Sequence, residues 1–229
     1  MSSSPLHPVA EPLLGMGPKA PLLLILSSPS GAGKTTLTNE LRRRFPEIRF
    51  SVSHTTRKPR ANEAQGREYH FVSHEQFRGL IEQDAFLEWA YVHNNLYGTS
   101  KHEIAEAAAC RCLLFDVDYQ GARQIKAARA DAIGVFVLPP SMHVLEQRLR
   151  GRASEDEATV RMRFNNARRE IEHYGLFDYV LENNDLDIAV EQLVAIFRAE
   201  ECRRSRAAHR AERLLAEDRG FGGTLPPKL

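Results

Sequence analysis
The chain has 229 residues, and its 42% hydrophobic content supports one large domain, or one domain with inserted lobes. Lys+Arg (31) and Asp+Glu (30) leave a formal charge of +1, which gives no global case for nucleic acid or an anionic membrane as partner. The three cysteines, Cys110, Cys112 and Cys202, have no zinc spacing and form no disulfide framework, so they point to a reducing cytoplasm. The apolar run Pro21 to Leu26 is too short to span a bilayer, and the N-terminus lacks the pattern of a signal peptide.

Residues 1–20 are rich in Ser and Pro and read as a flexible leader. Leu22 to Ser27 reads as a buried strand. A helix follows from Lys34 to about Phe45, with Leu37 and Leu41 on one face and Pro46 as its stop. Arg49 to Ser53 reads as a second strand. From His54 to about Thr99 the texture changes to short pieces. Strands are expected at Tyr69 to Val72 and Phe86 to Val92, with a helix from Ser73 to about Gln83 between them. This stretch reads as a small lobe inserted into a parallel-sheet domain, with Phe86 and Trp89 as its core.

Beyond the lobe, Lys101 to Ala109 reads as an alanine-rich helix and Cys112 to Asp118 as a buried strand ending in acid. A helix over Gln120 to Ala130, a strand over Ile133 to Leu138 stopped by Pro139-Pro140, and a helix over Ser141 to Arg150 follow. A charged stretch from Gly151 to Glu157 leads into a helix reaching Tyr174. Tyr179 to Glu182 is the last strand. A long helix starts at Asp185 and passes Glu200, with Arg203 to Glu217 as a surface continuation. No internal repeat is present. Alternating strands and helices give an α/β doubly wound sheet.

The stretch Ser28-Pro29-Ser30-Gly31-Ala32-Gly33-Lys34-Thr35-Thr36 fits a phosphate-binding loop between strand and helix, with Ser28 in place of the pattern's first glycine. Gly31 and Gly33 let the backbone turn its N–H groups inward around a phosphate chain, and the following helix adds its positive dipole end. Lys34 can reach the terminal phosphates, and the Thr35 hydroxyl can ligate Mg²⁺. Asp116 and Asp118 stand at the carboxyl end of an apolar strand, the edge where open α/β sheets bind ligands. On a strand they would share a face. Asp118 has a second reading as a helix N-cap. Two arginine groups are candidates for stabilising a moving phosphoryl group: Arg57 and Arg60 in the lobe, and Arg148, Arg150, Arg152 and Arg163 around the charged stretch. Arg150, with Arg161, Arg168 and Arg169, reads as solvated helix surface.

Taken together, Ser28 to Thr35, Ser51-Val52-Ser53-His54-Thr55-Thr56-Arg57, Arg60, Tyr97-Gly98-Thr99, Asp116-Val117-Asp118 and Gly121 resemble a guanylate kinase. Pro139-Pro140 and the Arg148 to Arg152 segment extend the likeness, which covers roughly 21–201. The resemblance implies a P-loop three-layer α/β fold with a parallel five-stranded core sheet, an inserted GMP-binding lobe (about 54–99) and a helical lid (about 146–164). Residues 202–229 would form a C-terminal helix extension and tail. The implied reaction moves the γ-phosphoryl group of ATP to GMP, with Mg²⁺.

By position, the resemblance implies that Ser53, Arg57, Arg60 and Tyr69 hold the GMP phosphate. Glu88 and Thr99 would read guanine with help from Asp118, and Glu63 and Tyr97 would line the same pocket. The loop residues Ser28 to Thr36 would hold ATP, with Asn183 near the adenine. Thr35 and Asp116 would serve the metal, directly or through water. Lys34, Arg57, Arg148, Arg152 and Arg163 would act on the phosphates. The sequence departs from the family's look at Asn62, Leu96 and Ala153. A non-catalytic guanylate-kinase-like binding module and a kinase acting on a sugar phosphate stand as alternatives. Lys34, Thr35, Asp116 and the lid arginines together argue against the first, and Glu88 with Thr99 and Asp118 against the second.

Overall fold
The computed structural model describes residues 20–92, 94–151 and 157–218. The leader up to residue 19, Arg152, Ala153 and the tail from 219 therefore lie outside the described residues. Five parallel strands form the main sheet: β1 (Leu22–Ser27), β2 (Ile48–Phe50), β7 (Cys112–Asp116), β8 (Ile133–Leu138) and β9 (Tyr179–Glu182), in the order β2-β7-β1-β8-β9. All six residues of β1 are buried, as expected of a central parallel strand covered on both faces.

Alternation along β1 divides the core. Leu22, Leu24 and Leu26 pack with Leu37 and Leu41 of α1 (Lys34–Arg44) and with Val190, Leu193 and Phe197 of α7 (Leu186–Cys202). Leu23 and Ile25 face the other way, toward Ala122 and Ile125 of α4 (Tyr119–Ala128) and Ala107 just after α3 (His102–Glu106). Helices on both sheet faces make three layers. The pair α5 (Met142–Arg150) and α6 (Glu157–Ile171) closes on Leu145, Leu149, Val160 and Ala167.

The lobe is a separate sheet in the order β4-β3-β6-β5, built from β3 (His54–Thr55), β4 (His70–Phe71), β5 (Phe86–Val92) and β6 (Asn95–Ser100). Phe77 of α2 (His74–Glu82) packs on Phe86 and Leu96 beneath it. Ser73 starts α2 with a capping box, its hydroxyl accepting from the Gln76 N–H while the Gln76 side chain accepts from the Ser73 N–H.

Several elements differ from the expectation. The strand expected over Arg49 to Ser53 is shared between two sheets. The Ser51 N–H still donates to the Leu114 carbonyl of the core, but the Ser53 carbonyl already accepts from His70 in the lobe. Strand β6 was not expected, and it pairs with β5 through a turn in which Asn94 has φ 64. The alanine-rich helix stops at Glu106. The helix expected to reach Tyr174 ends at Ile171, before a short turn at Tyr174–Leu176. The C-terminal continuation is a separate helix, α8 (Arg204–Asp218), because Arg203 leaves helical geometry with ψ 137.

Trp89 is not lobe core. It is 40% exposed, whereas Phe86 on the opposite face is buried, because β5 alternates with Phe86, Glu88 and Ala90 inward. The backbone of Trp89 is nonetheless occupied. The Gln124 side chain on α4 accepts the Trp89 N–H at 3.2 Å and donates to its carbonyl at 2.8 Å. The outermost lobe strand is thereby joined to the core. Among the described residues, no helix is long and apolar enough to cross a membrane.

Candidate active site
The loop after β1 lies at the carboxyl ends of the parallel strands. Gly31 and Gly33 adopt φ 93 and 97, conformations that disfavour a side chain. A Cβ on Gly33 would stand 2.2 Å from the Asn183 amide nitrogen, and one on Gly31 would press Leu145 and Leu149 of α5 at 3.1 and 3.2 Å. The loop is held from outside. The Asn183 side chain donates to the Ala32 carbonyl at 2.8 Å. Arg148 donates to the same carbonyl at 3.3 Å and to the Asn183 carbonyl at 3.1 Å. A cavity of about 360 Å³ opens beside this arrangement, lined by Gly31, Gly33, Thr36, Arg148, Asn183, Asn184 and Leu186.

A second cavity, of about 170 Å³, lies between core and lobe. Its walls include Lys34, Ser53, Tyr69, Glu88, Tyr97, Asp116 and Asp118, together with the apolar Ala90, Val92 and Val117. The fold thus gathers residues spread over more than eighty positions of sequence. Lys34 of the loop is ion-paired with Asp116 of β7 at this cavity.

Glu88 is 4% exposed. Burial pushes its carboxyl up to about 7, against the opposing hydrogen bond from Thr99, and the nearby Asp118 charge adds to the rise. Thr99 is fully buried opposite Glu88 in the β5–β6 ladder, with its hydroxyl 3.2 Å from that of Ser53. Gly121 makes room for this carboxylate, since a Cβ there would lie 2.7 Å from Glu88 Oε2.

Asp118 does not continue the strand, which ends at Asp116. It caps α4, accepting the Gln120 and Gly121 N–H groups at 2.9 and 3.0 Å. Strand alternation therefore does not align it with Asp116. The helix start turns it into the same cavity instead.

At the rim, Arg57 forms a bidentate pair with Glu63 at 2.8 and 2.9 Å, and its guanidinium lies 5.3 Å from the centre of the Tyr69 ring. The pair raises the Arg57 pKa further and lowers that of Glu63. Glu63 also accepts the Arg60 N–H at 2.8 Å, a turn closed without glycine at the exposed Asn62. The Arg60 guanidinium is only 3.9 Å from Glu63 and is largely exposed, so it stands at the margin. Burial, with the Asp116 charge second, pushes the Tyr69 hydroxyl up to about 12, so it remains a proton donor.

Gln124, Asn184, Leu186 and Glu170 belong to no motif in the sequence, and the fold alone brings them to the site. Glu170 of α6 accepts the Ser30 N–H of the loop at 3.1 Å. No spacing rule links positions so far apart. Arg163 lies on α6, half-buried. Thr35 is exposed at the first turn of α1. Among the described residues no group of three His, Cys, Asp or Glu could hold a metal by itself. A hydroxyl and one carboxylate beside a phosphate loop suit Mg²⁺, which keeps several waters and takes phosphate oxygens.

The model of the family described as guanylate kinase matches residues 21–200. A guanylate kinase of Aromatoleum aromaticum is 49% identical over 194 residues, covering 84% of this chain and 94% of that protein. One from Geobacter sulfurreducens is 43% identical over 198 residues, covering 86% and 98%. The crystal structure of a guanylate kinase from Anaplasma phagocytophilum is 30% identical, covers 82% of this chain and 90% of its own, and superposes with a TM-score of 0.68. The chain belongs to the guanylate kinase family.

Proposed function
We infer that this protein is an ATP:GMP phosphotransferase, transferring the γ-phosphoryl group of ATP to GMP to give ADP and GDP. One observation carries the reading. Lys34 of the phosphate loop lines the same cavity as the buried Glu88 and the capping Asp118, so the donor loop opens onto a pocket built to read a base. A carboxylate accepts from the guanine N1–H and exocyclic amine, and a base lacking those donors would leave Glu88 buried and unpaired.

The division of labour follows from chemistry. The loop amides, the N-terminus of α1 and Lys34 hold the donor phosphates, with Ser28 to Thr36 as the loop. The cavity beside Asn183 is the adenine side. Arg57, held by Glu63, meets the GMP phosphate with Arg60, Ser53 and Tyr69, and Tyr97 closes the pocket wall. Arg148, Arg163 and Arg152, the last outside the described residues, neutralise charge that spreads over the moving group. Thr35 and Asp116 would hold Mg²⁺, which supplies charge neutralisation on the donor phosphates. Residues 21–201 form the kinase domain, with the lobe over 54–99 and the lid over 146–164. Free Cys110, Cys112 and Cys202 support a cytoplasmic location.

A coupled ADP-release assay with ATP and Mg²⁺, run in parallel against GMP, AMP, CMP and UMP, tests the function. Turnover with GMP and not with the others is expected. Protein that binds GMP yet releases no ADP would be a binding module instead.

A further inference from the structure
Glu170, near the end of α6, accepts the Ser30 N–H at 3.1 Å, joining positions 140 residues apart. It lies within electrostatic reach of Lys34 on the donor side and of Asp118 on the acceptor side, and burial raises its pKa. A carboxylate beside a loop built for phosphates adds repulsion, so its retention there calls for a positional reason. Arg163 provides one. It precedes Glu170 by seven residues within the same 15-residue helix, two turns along one face. The two are thus rigidly related, roughly 10 Å apart along the axis. Ala167, between them, is buried against α5.

We propose that Glu170 is a positioning residue: by holding the Ser30 N–H it registers α6 on the phosphate loop, and so sets where the Arg163 guanidinium meets the moving phosphoryl group. The inference rests on the kinase reading and on Arg163 facing phosphate. The contact acts through geometry. An acceptor oxygen at this place is what the loop requires, and the negative charge is incidental. A helix tilt that shifts Arg163 by about 1 Å is enough to slow the transfer on the order of a hundredfold.

The experiment is a double-mutant cycle read by steady-state kinetics with ATP, Mg²⁺ and GMP. Glu170→Ala is expected to lower kcat about tenfold to a hundredfold while KM for GMP stays within about twofold. Glu170→Gln keeps an acceptor oxygen and is expected to retain kcat within about threefold. In an Arg163→Ala background, Glu170→Ala is expected to cost less than about twofold more, because the arginine it positions is gone.

Three outcomes would overturn the proposal: wild-type kcat in Glu170→Ala, Glu170→Gln as slow as Glu170→Ala, or effects of Glu170→Ala and Arg163→Ala that simply multiply. Should Glu170→Ala lose its fold by circular dichroism, Glu170→Met, which keeps the buried stem without an oxygen, takes its place beside Glu170→Gln. Wild-type protein is assayed alongside. Absence of GMP turnover there would fail the kinase reading, whereas an active wild type with multiplicative variants would fail this proposal alone.

Discussion

The Lys34 ammonium of the phosphate loop is ion-paired with the Asp116 carboxylate at the end of β7, and it also reaches toward the Val117 carbonyl at 3.4 Å. The pair joins the glycine-rich loop to the end of β7 at the wall of the cavity between core and lobe. On the proposed reading, incoming phosphates compete with Asp116 for Lys34. Lys34→Ala is expected to lower kcat/KM on the order of a hundredfold or more with an unchanged circular dichroism spectrum. Asp116→Asn is expected to lower kcat about tenfold or more, because it removes the carboxylate that would help hold Mg²⁺. An undiminished kcat in that variant would remove Asp116 from the chemistry.

Glu88 supplies a pH dependence with a definite sign. Its carboxyl, pushed up to about 7 by burial, is protonated in much of the free protein at pH 6, whereas the proposed contact needs the ionised form to accept from guanine. KM for GMP should therefore fall several-fold between about pH 6 and pH 8, and Glu88→Gln should flatten the profile. Ligand-free stability runs the other way. The Glu88 contribution is full below the ordinary value of 4.5 and is lost as pH rises through about 7.

The Arg57–Glu63 pair presents the guanidinium already ordered at the pocket rim. Glu63→Gln removes one charge and weakens the fork. It is expected to raise KM for GMP about tenfold with a smaller effect on kcat, in line with a lost charge-assisted hydrogen bond. Arg57→Ala should raise it further and slow turnover. Isothermal titration with GMP alone checks both, and wild-type affinity in Arg57→Ala would withdraw this arginine from the phosphate site.

Gly33 and Asn183 contact each other across the loop. Gly33→Ala sets a methyl group 2.2 Å from the Asn183 amide nitrogen and imposes a side chain at φ 97. Loss of ATP binding is expected. Adding Asn183→Ala should relieve the collision but leave the backbone strain of about 1 kcal/mol or more, so rescue is partial. Full rescue would mean that the backbone conformation at Gly33 is not required.

The lobe carries its own acid limit. His54 is half-buried with its ring 4.7 Å from that of His70 and 5.6 Å from that of Phe86. Burial, with the His70 charge second, pushes it down to about 4. The neutral ring therefore contributes stability that is complete above 6.5 and is lost as pH falls through about 4. The facing charge on His70 acts in the same direction. His54→Phe should reduce the fall in Tm between pH 7 and pH 4.5. A parallel fall in both proteins would place the acid limit elsewhere.

Where periodicity is local, the elements were legible. Strand β1 and helix α5 have the expected extents, with Ser141 as the α5 cap. The loop motif also led directly to Gly31, Gly33 and Lys34, because its chemistry is contained in eight successive residues. Strand β6 was missed because Asn95 to Ser100 shows no sustained apolar alternation and owes its strand to pairing with Phe86 to Val92. Trp89 was misassigned because alternation gives two faces without saying which is inward, and the buried carboxylate of Glu88 ran against hydrophobicity. Of the two readings of Asp118, the helix cap holds, because its carboxylate accepts the first N–H groups of α4 where one more strand residue would leave them open. Glu170 and Gln124 act across 140 and 35 positions respectively, and long-range pairings of that kind leave no spacing signal.

The Gln124 carboxamide also blunts the outer edge of the lobe sheet. It pairs with both backbone groups of Trp89, as a neighbouring strand would. An intruding chain that sought to extend the lobe sheet at β5 would first have to evict it, beside an exposed Trp89 and Tyr91 that would otherwise favour such an addition. Together with α4, which packs along β5, this side chain thus hinders strand-by-strand polymerisation at the edge of the lobe sheet.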